Sequence, residues 1–299
     1  MTNTPVLDQA LTRIDLHRGW PNASLIPSNL LRHAASAVLF NSDHYISGML
    51  YGPNLGDPRL RRVLAAWLTG FFAPRVPINQ ERICITGGAS QNLGTLLQVY
   101  TDPGHTLAVW LVVPCYMLAC RIMEDAGLAG KLRSVPEDAE GIDLAYLERE
   151  LTKAEEGAKS TSNTAKGYKS NRLNRKSYRH IIYTVPTFSN PSSSLMTLGR
   201  REGLVRLARR FDALVVCDDV YDFLYWPARE SSTVEGSKRA VIPRLVDIDR
   251  FLDGGTNRPG VDGYGNVVSN GTFSKILAPG LRTGWIEGTE SFSLGLSEA

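Results

Sequence analysis

A doubly wound α/β fold, with a mainly parallel sheet covered by helices on both faces, is the architecture this sequence predicts. Three observations predict it. Six short apolar runs are nearly continuous rather than alternating, as in strands buried on both faces. Amphipathic helical patterns separate most of them, as in successive βαβ units. The 299 residues, 43% of them hydrophobic, suffice for one large core or two modest ones.

The first element in order is a helix over 57–72. Asp57 can cap it, Pro58 suits its first turn, and Leu60, Val63, Leu64, Trp67, Leu68 and Phe71 form one apolar stripe. Strands are expected at 83–86, 107–113, 181–185, 213–217, 267–269 and 283–286, and helices at 91–100, 116–126, 144–154 and 198–211. In the last helix Leu204, Leu207, Ala208 and Phe211 form the buried stripe, while Arg200, Arg201, Arg206 and Arg210 face water. Two segments break the alternation. Residues 155–179 are polar and rich in Lys, Arg, Ser and Asn, and read as a solvated, mobile insertion. Residues 229–266, rich in Gly and turn formers with one apolar patch at 241–246, read as a long surface excursion. The stretch from 287 to 299 reads as weakly structured.

A net charge of +3 with both signs interspersed argues against nucleic acid or a membrane surface as partner. No stretch approaches the roughly 18 apolar residues of a membrane span. The first twenty residues carry acids and no apolar core, unlike a secretory signal. Cys84, Cys115, Cys120 and Cys217 have no metal-site spacing and read as reduced core thiols. The expectation is a cytoplasmic enzyme without a metal.

Chemistry concentrates in a few motifs. Lys275 follows an apolar strand, with Thr272 and Ser274 before it and Arg282 after it. A lysine that acts as a nucleophile must lose its proton, so it belongs in a shielded pocket near other positive charge. The two hydroxyls and the arginine fork can hold a phosphate ester beside it. Asp218 and Asp219 directly follow the strand at 213–217, where open α/β sheets bind ligands, and Tyr221 lies close behind. Either acid could serve there. Asn190 precedes Pro191, a pair that by itself is only turn chemistry. After the strand at 83–86, the small residues Gly87, Gly88, Ala89 and Ser90 open a helix with Gln91, and a helix N-terminus is an anion site. This is neither a Gly-x-Gly-x-x-Gly nor a Walker sequence. Tyr116 follows Pro114 after the next strand.

In order, and spread from about Gly19 to Trp285, these motifs closely resemble the pyridoxal-5'-phosphate (PLP) dependent class I/II aminotransferases, nearest to the 2-aminoadipate and aromatic branch. The resemblance implies PLP fold type I, whose large domain has a seven-stranded, mainly parallel sheet. Lys275 would be the Schiff-base lysine. Thr272, Ser274 and Arg282, with Ala89, Ser90 and Gln91, would line the PLP phosphate. The family's D-x-x-Y spacing gives the pyridine nitrogen to Asp218 and the phenolic oxygen to Tyr221. Asn190 would reach that oxygen and the substrate carboxylate, and the Tyr116 ring would stack on the pyridine. Tyr51, in a Tyr-x-x-x-x-Gly pattern ending at Gly56, would reach the phosphate of a neighbouring subunit, implying a homodimer. Gly19 would lie against the substrate carboxylate. One departure stands out: Ser193 occupies a position where the family commonly has Gly.

The implied reaction moves an amino group from an amino acid to a 2-oxo acid. The rivals are another fold-type-I reaction, such as a lyase, a decarboxylase or a cyclopropane-carboxylate synthase, and a non-catalytic PLP-binding relic. Residues 1–40 are expected to be an arm with a remnant of a small domain, and 41–299 the large domain. Only seventeen residues follow Arg282. The family's C-terminal small domain, which carries the arginine for the substrate carboxylate, is therefore expected to be missing and turnover to be impaired.

Overall fold

In the computed structural model the described residues are 19–160, 167–169, 174–225, 239–240 and 242–299. Two helices come first, α1 (Ser28–Phe40) and α2 (Ser42–Met49), and neither buries a residue. Helix α3 (Pro58–Phe72) begins where its cap predicts, with Asp57 Oδ1 accepting from the amides of Arg59 and Leu60 at 2.8 and 2.9 Å. Its buried face is Arg61, Leu64, Ala65, Leu68 and Phe72. Val63 and Trp67, part of the expected stripe, are exposed instead. The apolar arc of this helix is wider than the surface that its own chain covers.

The remaining elements are β1 (Ile83–Thr86), α4 (Ala89–Tyr100), β2 (Ala108–Val113), α5 (Met117–Met123), β3 (Leu132–Asp138), β4 (Gly141–Ile142), α6 (Leu144–Ser160), β5 (His180–Thr184), α7 (Leu198–Arg210), β6 (Ala213–Asp218), α8 (Leu245–Phe251), β7 (Val267–Thr272), β8 (Gly284–Glu287) and α9 (Glu290–Ser297). The strands form one sheet in the order β1-β8-β7-β6-β5-β2-β3-β4. Strands β7, β6, β5, β2 and β3 run parallel, and β8 is antiparallel to both its neighbours. This is the expected seven-stranded pattern, extended at one edge by the two-residue β4.

Strand alternation divides the core in two. On one face Val109, Leu111, Ile181, Tyr183, Leu214 and Val216 pack against Leu93, Leu97, Met123 and Phe292 of α4, α5 and α9. On the other, Ala108, Trp110, Ile182, Val215 and Cys217 pack against Leu147, Leu204, Ala208 and Val246 of α6, α7 and α8. Both faces are covered, which is why the central strands read as unbroken apolar runs.

Four expectations need correction. Arg201 does not face water: it is 1% exposed. The helical period puts it on the side of Leu204, Val205 and Ala208. Its desolvation is offset by hydrogen bonds donated to Met196 O, Pro186 O, Pro243 O and Thr187 Oγ1, all at 3.0–3.1 Å. The final stretch is helical, because Thr289 caps α9 and Phe292 stacks on Tyr100 at 4.0 Å. Strand β3 was not foreseen: only Val135 of its seven residues is buried, and Pro136 is tolerated near the sheet edge. The described parts of the two irregular segments carry regular structure and specific hydrogen bonds. α6 runs on to Ser160, the amides of Tyr168 and Lys169 bind the Asp102 carboxylate, and the second segment contains α8. Residues 1–18, 161–166, 170–173, 226–238 and 241 lie outside the described residues.

Candidate active site

The carboxyl ends of β1, β2, β5, β6 and β7 converge on a cavity of about 270 Å³. That is the edge at which open α/β sheets bind ligands. Ten of the residues singled out from the sequence line it: Ala89 and Ser90, Tyr116, Asn190, Asp218 and Tyr221, and Thr272, Ser274, Lys275 and Arg282.

One end is polar and cationic. Helix α4 starts at Gly88 without a side-chain cap. Gly88 has φ +106°, and a Cβ there would stand 2.7 Å from an Arg282 guanidinium nitrogen. Only glycine meets both demands. Arg282 donates to Gly87 O at 3.2 Å and to Ser274 Oγ at 3.3 Å, and the Ser274 and Thr272 hydroxyls lie 3.0 Å apart. Two hydroxyls, a guanidinium and an uncapped helix N-terminus thus face one small volume, which suits a phosphate. Buried asparagines hold the helix in place: Asn92 Nδ2 donates to Asn270 Oδ1 at 2.8 Å, and Asn270 Nδ2 donates to Ala89 O at 3.1 Å.

The other end is acidic. Along β6, Leu214, Val216 and Asp218 share the face of α4 and α5, whereas Val215, Cys217 and Asp219 share the opposite face. Asp218 therefore lines the cavity. Asp219 instead accepts a hydrogen bond from buried Ser269 Oγ. Burial pushes the Asp218 carboxyl up to about 6, against the lowering influence of a Tyr183 hydrogen bond and the Lys275 charge. Tyr183 Oη donates to Asp218 Oδ2 at 2.6 Å. Asp218 Oδ1 is buried and accepts no hydrogen bond. Asp219 is also held well above the usual carboxylate range, by burial and then by the nearby charge of Asp222. Asn190 Nδ2 donates to Tyr221 Oη at 3.4 Å, and burial raises the Tyr221 phenol. Ser193 has φ +61°, a region that favours glycine, at the position where the resemblance leads one to expect it.

Three residues of the sequence reading lie elsewhere. Gln91 is exposed and turns back over Gly87. Tyr51 and Gly19 are exposed and take no part in this cavity. Lys275 lines the cavity but is itself exposed, so the described residues do not supply the shielding expected for it. Sequence reasoning missed Tyr183, Asn92 and Asn270. A tyrosine in an Ile-Ile-Tyr strand reads as core, and a helix-interior asparagine carries no signal without its partner.

Apart from the shielding of Lys275, the donor set of the cavity fits what pyridoxal phosphate would need. It offers an anion site at one end, a lysine, and at the other end a carboxylate with an unsatisfied oxygen. The family described as Aminotransferase class I and II matches residues 31–296. An uncharacterized protein of Saccharomyces cerevisiae is 32% identical over 92% of this chain and 63% of its own length. Aromatic-amino-acid aminotransferase 1 of Thermococcus litoralis is 27% identical over 93% of this chain and 55% of its own. Among solved structures, the α-aminoadipate aminotransferase of Thermus thermophilus, complexed with N-(5'-phosphopyridoxyl)-L-leucine, superposes with a TM-score of 0.67 at 26% identity, covering 94% of this chain and 57% of its own. The chain thus spans little more than half the length of most of these relatives.

Proposed function

Because the chain belongs to the class I and II aminotransferase family, we propose that it binds pyridoxal 5'-phosphate in this cavity through Lys275 and transfers an amino group from an amino acid to a 2-oxo acid. The observation that carries the reading is the convergence on one cavity of Lys275, the uncapped α4 terminus and Asp218 with its unsatisfied Oδ1. Bound there, the cofactor would act as the electron sink for charge left on the substrate Cα.

The chain's own residues divide the remaining work. Ala89, Ser90, Thr272, Ser274 and Arg282 would hold the phosphate. Asp218 keeps a proton on the ring nitrogen, Tyr221 and Asn190 donate toward the phenolic oxygen, and Tyr116 covers a ring face. Lys275 Nζ would hold the cofactor and, once free of it, would move the proton at the substrate Cα. Asn190 would orient the substrate carboxylate.

A homodimer, with Tyr51 of each chain serving the other's cavity, is part of the same proposal. Leu30, Val38, Leu39, Phe40 and Met49 on α1 and α2 are exposed, an apolar surface of the kind that subunits cover. A cytoplasmic location is part of the same proposal. No helix among the described residues is long and apolar enough to cross a membrane.

The test is chemical. The chain, mixed with pyridoxal phosphate and reduced with borohydride, should carry the cofactor on the peptide containing Lys275. An adduct on any other lysine would sink the assignment. Product analysis with 2-oxoglutarate as acceptor then separates amino transfer from elimination or decarboxylation.

A further inference from the structure

We propose that Tyr183 is a positioning residue for the cofactor: its hydroxyl holds the Asp218 carboxylate as an oriented anion with Oδ1 left as the acceptor for the ring nitrogen. This inference rests on the pyridoxal phosphate reading above.

The placement follows from strand register. Tyr183 on β5 pairs with Val216 on β6, and Asp218 lies two residues further along the same face. Both side chains line the cavity. The phenol is 1% exposed and reaches Asp218 Oδ2 at 2.6 Å, the ordinary length of a charge-assisted hydroxyl–carboxylate hydrogen bond. A phenylalanine would fill the same core position. What the hydroxyl adds is one hydrogen bond, made to the acid that the cofactor would need.

The electrostatics favour this assignment over a phenol that merely satisfies its own burial. Burial works against the Asp218 anion, and nearby Asp222 adds to that penalty. Against them stand the Tyr183 hydrogen bond and the Lys275 charge. Cys115, Tyr116 and Tyr221 also face the pair without supplying positive charge. A ring-nitrogen partner must be ionised to hold a proton on that nitrogen, so loss of the hydroxyl removes one of two supports. Tyr183 itself is held protonated far above the ordinary tyrosine range by burial and by Asp218, so it remains a donor throughout the useful pH range. The bond occupies Oδ2 and leaves Oδ1 as the unsatisfied atom.

The experiment is a titration of pyridoxal phosphate binding to the full chain across pH 5–8, followed by the absorbance of the bound cofactor. Tyr183→Phe should weaken binding about tenfold near neutrality, the ordinary worth of a hydrogen bond to a charged group. It should also move the acid limb of the binding profile up by about one pH unit. On an Asp218→Asn background the same substitution should change affinity less than about twofold, because its effect runs through that carboxylate. Asp222 titrates in both members of each comparison and cancels.

An unchanged acid limb in Tyr183→Phe, or equal losses on the two backgrounds, overturns the role of Tyr183 while leaving the cofactor site intact. Failure of the parent chain to bind pyridoxal phosphate at all overturns both. If Tyr183→Phe does not fold, 3-fluorotyrosine placed at position 183 replaces it. That stronger donor should move the acid limb down, and a limb that stays in place rejects the proposal.

Discussion

Deleting one carboxylate at a time should separate the two neighbouring acids, because they belong to opposite faces of β6. Asp218→Ala should weaken pyridoxal phosphate binding about tenfold or more, the worth of a buried charge-assisted hydrogen bond. Asp219→Ala should leave binding within about twofold and act instead on stability, since Asp219 is bonded to Ser269 behind the sheet. Equal effects in a binding titration would contradict this division. Asp218 also makes a pH prediction. Its folded value of about 6 lies above the 3.8 of an ordinary aspartate. The unfolded chain therefore loses this proton near pH 4 while the folded chain keeps it to about pH 6. The folded state binds more protons within that window, so the contribution to stability falls as pH rises through it. Without cofactor, Asp218→Asn should gain on the parent between pH 4 and 6, by on the order of 2 kcal/mol. Denaturant melts at each pH measure it, and a constant difference between the two chains would be inconsistent with a raised Asp218.

The start of α4 shows how a whole element depends on one backbone position. Gly88 turns the chain at φ +106° so that the helix opens toward the cavity, and the Arg282 guanidinium occupies the space that a Cβ would need. Gly88→Ala should cost at least about 1–2 kcal/mol for the left-handed conformation alone. It should also displace Arg282, lowering affinity for inorganic phosphate and for pyridoxal phosphate together. Thermal melts and phosphate competition check the two effects. Preserved phosphate binding would mean that α4 and Arg282 do not share the anion. The same dependence on packing explains why the facing of one α7 arginine differs from expectation although the helix itself lies where its period places it. Its arginines were sorted by charge, but Arg201 sits on the buried side and ties together the carbonyls of Pro186, Met196 and Pro243. That clamp braces the loop carrying Asn190.

At the scale of the whole molecule, the proposal makes Tyr51 the property of another subunit's site. Tyr51 is fully exposed and takes no part in its own chain's cavity. Tyr51→Ala should weaken pyridoxal phosphate binding about tenfold, and Lys275→Ala should abolish borohydride capture. Co-folding the two variants in equal amounts should restore tight capture to about a quarter of the sites, since half the dimers are mixed and each has one intact cavity. No recovery, with dimers present by light scattering, would place Tyr51 outside the partner's site.

By itself the sequence determined the fold class, the helix start at Asp57 and ten of the residues that meet at the cavity. Those features are written locally: an unbroken apolar run means a strand covered twice, a cap is a neighbour effect, and the lysine, acid and asparagine motifs each sit on one strand end. The tertiary structure decided what depends on faces and partners. A period-two strand allows two opposite readings of Asp218 and Asp219 until the covering helices are known, and the family resemblance, not the local pattern, had chosen between them. Arg201 looked solvated because nothing nearby in sequence announces the three carbonyls that receive it. Strand β3 is too polar to be recognised without β2 beside it, and α9 needs Tyr100, some 190 residues away, to bury Phe292. Tyr183 read as core because its hydrogen-bond acceptor lies on the next strand of the sheet. Burial and hydrogen bonding are properties of pairs brought together by folding, and a single chain position does not carry them.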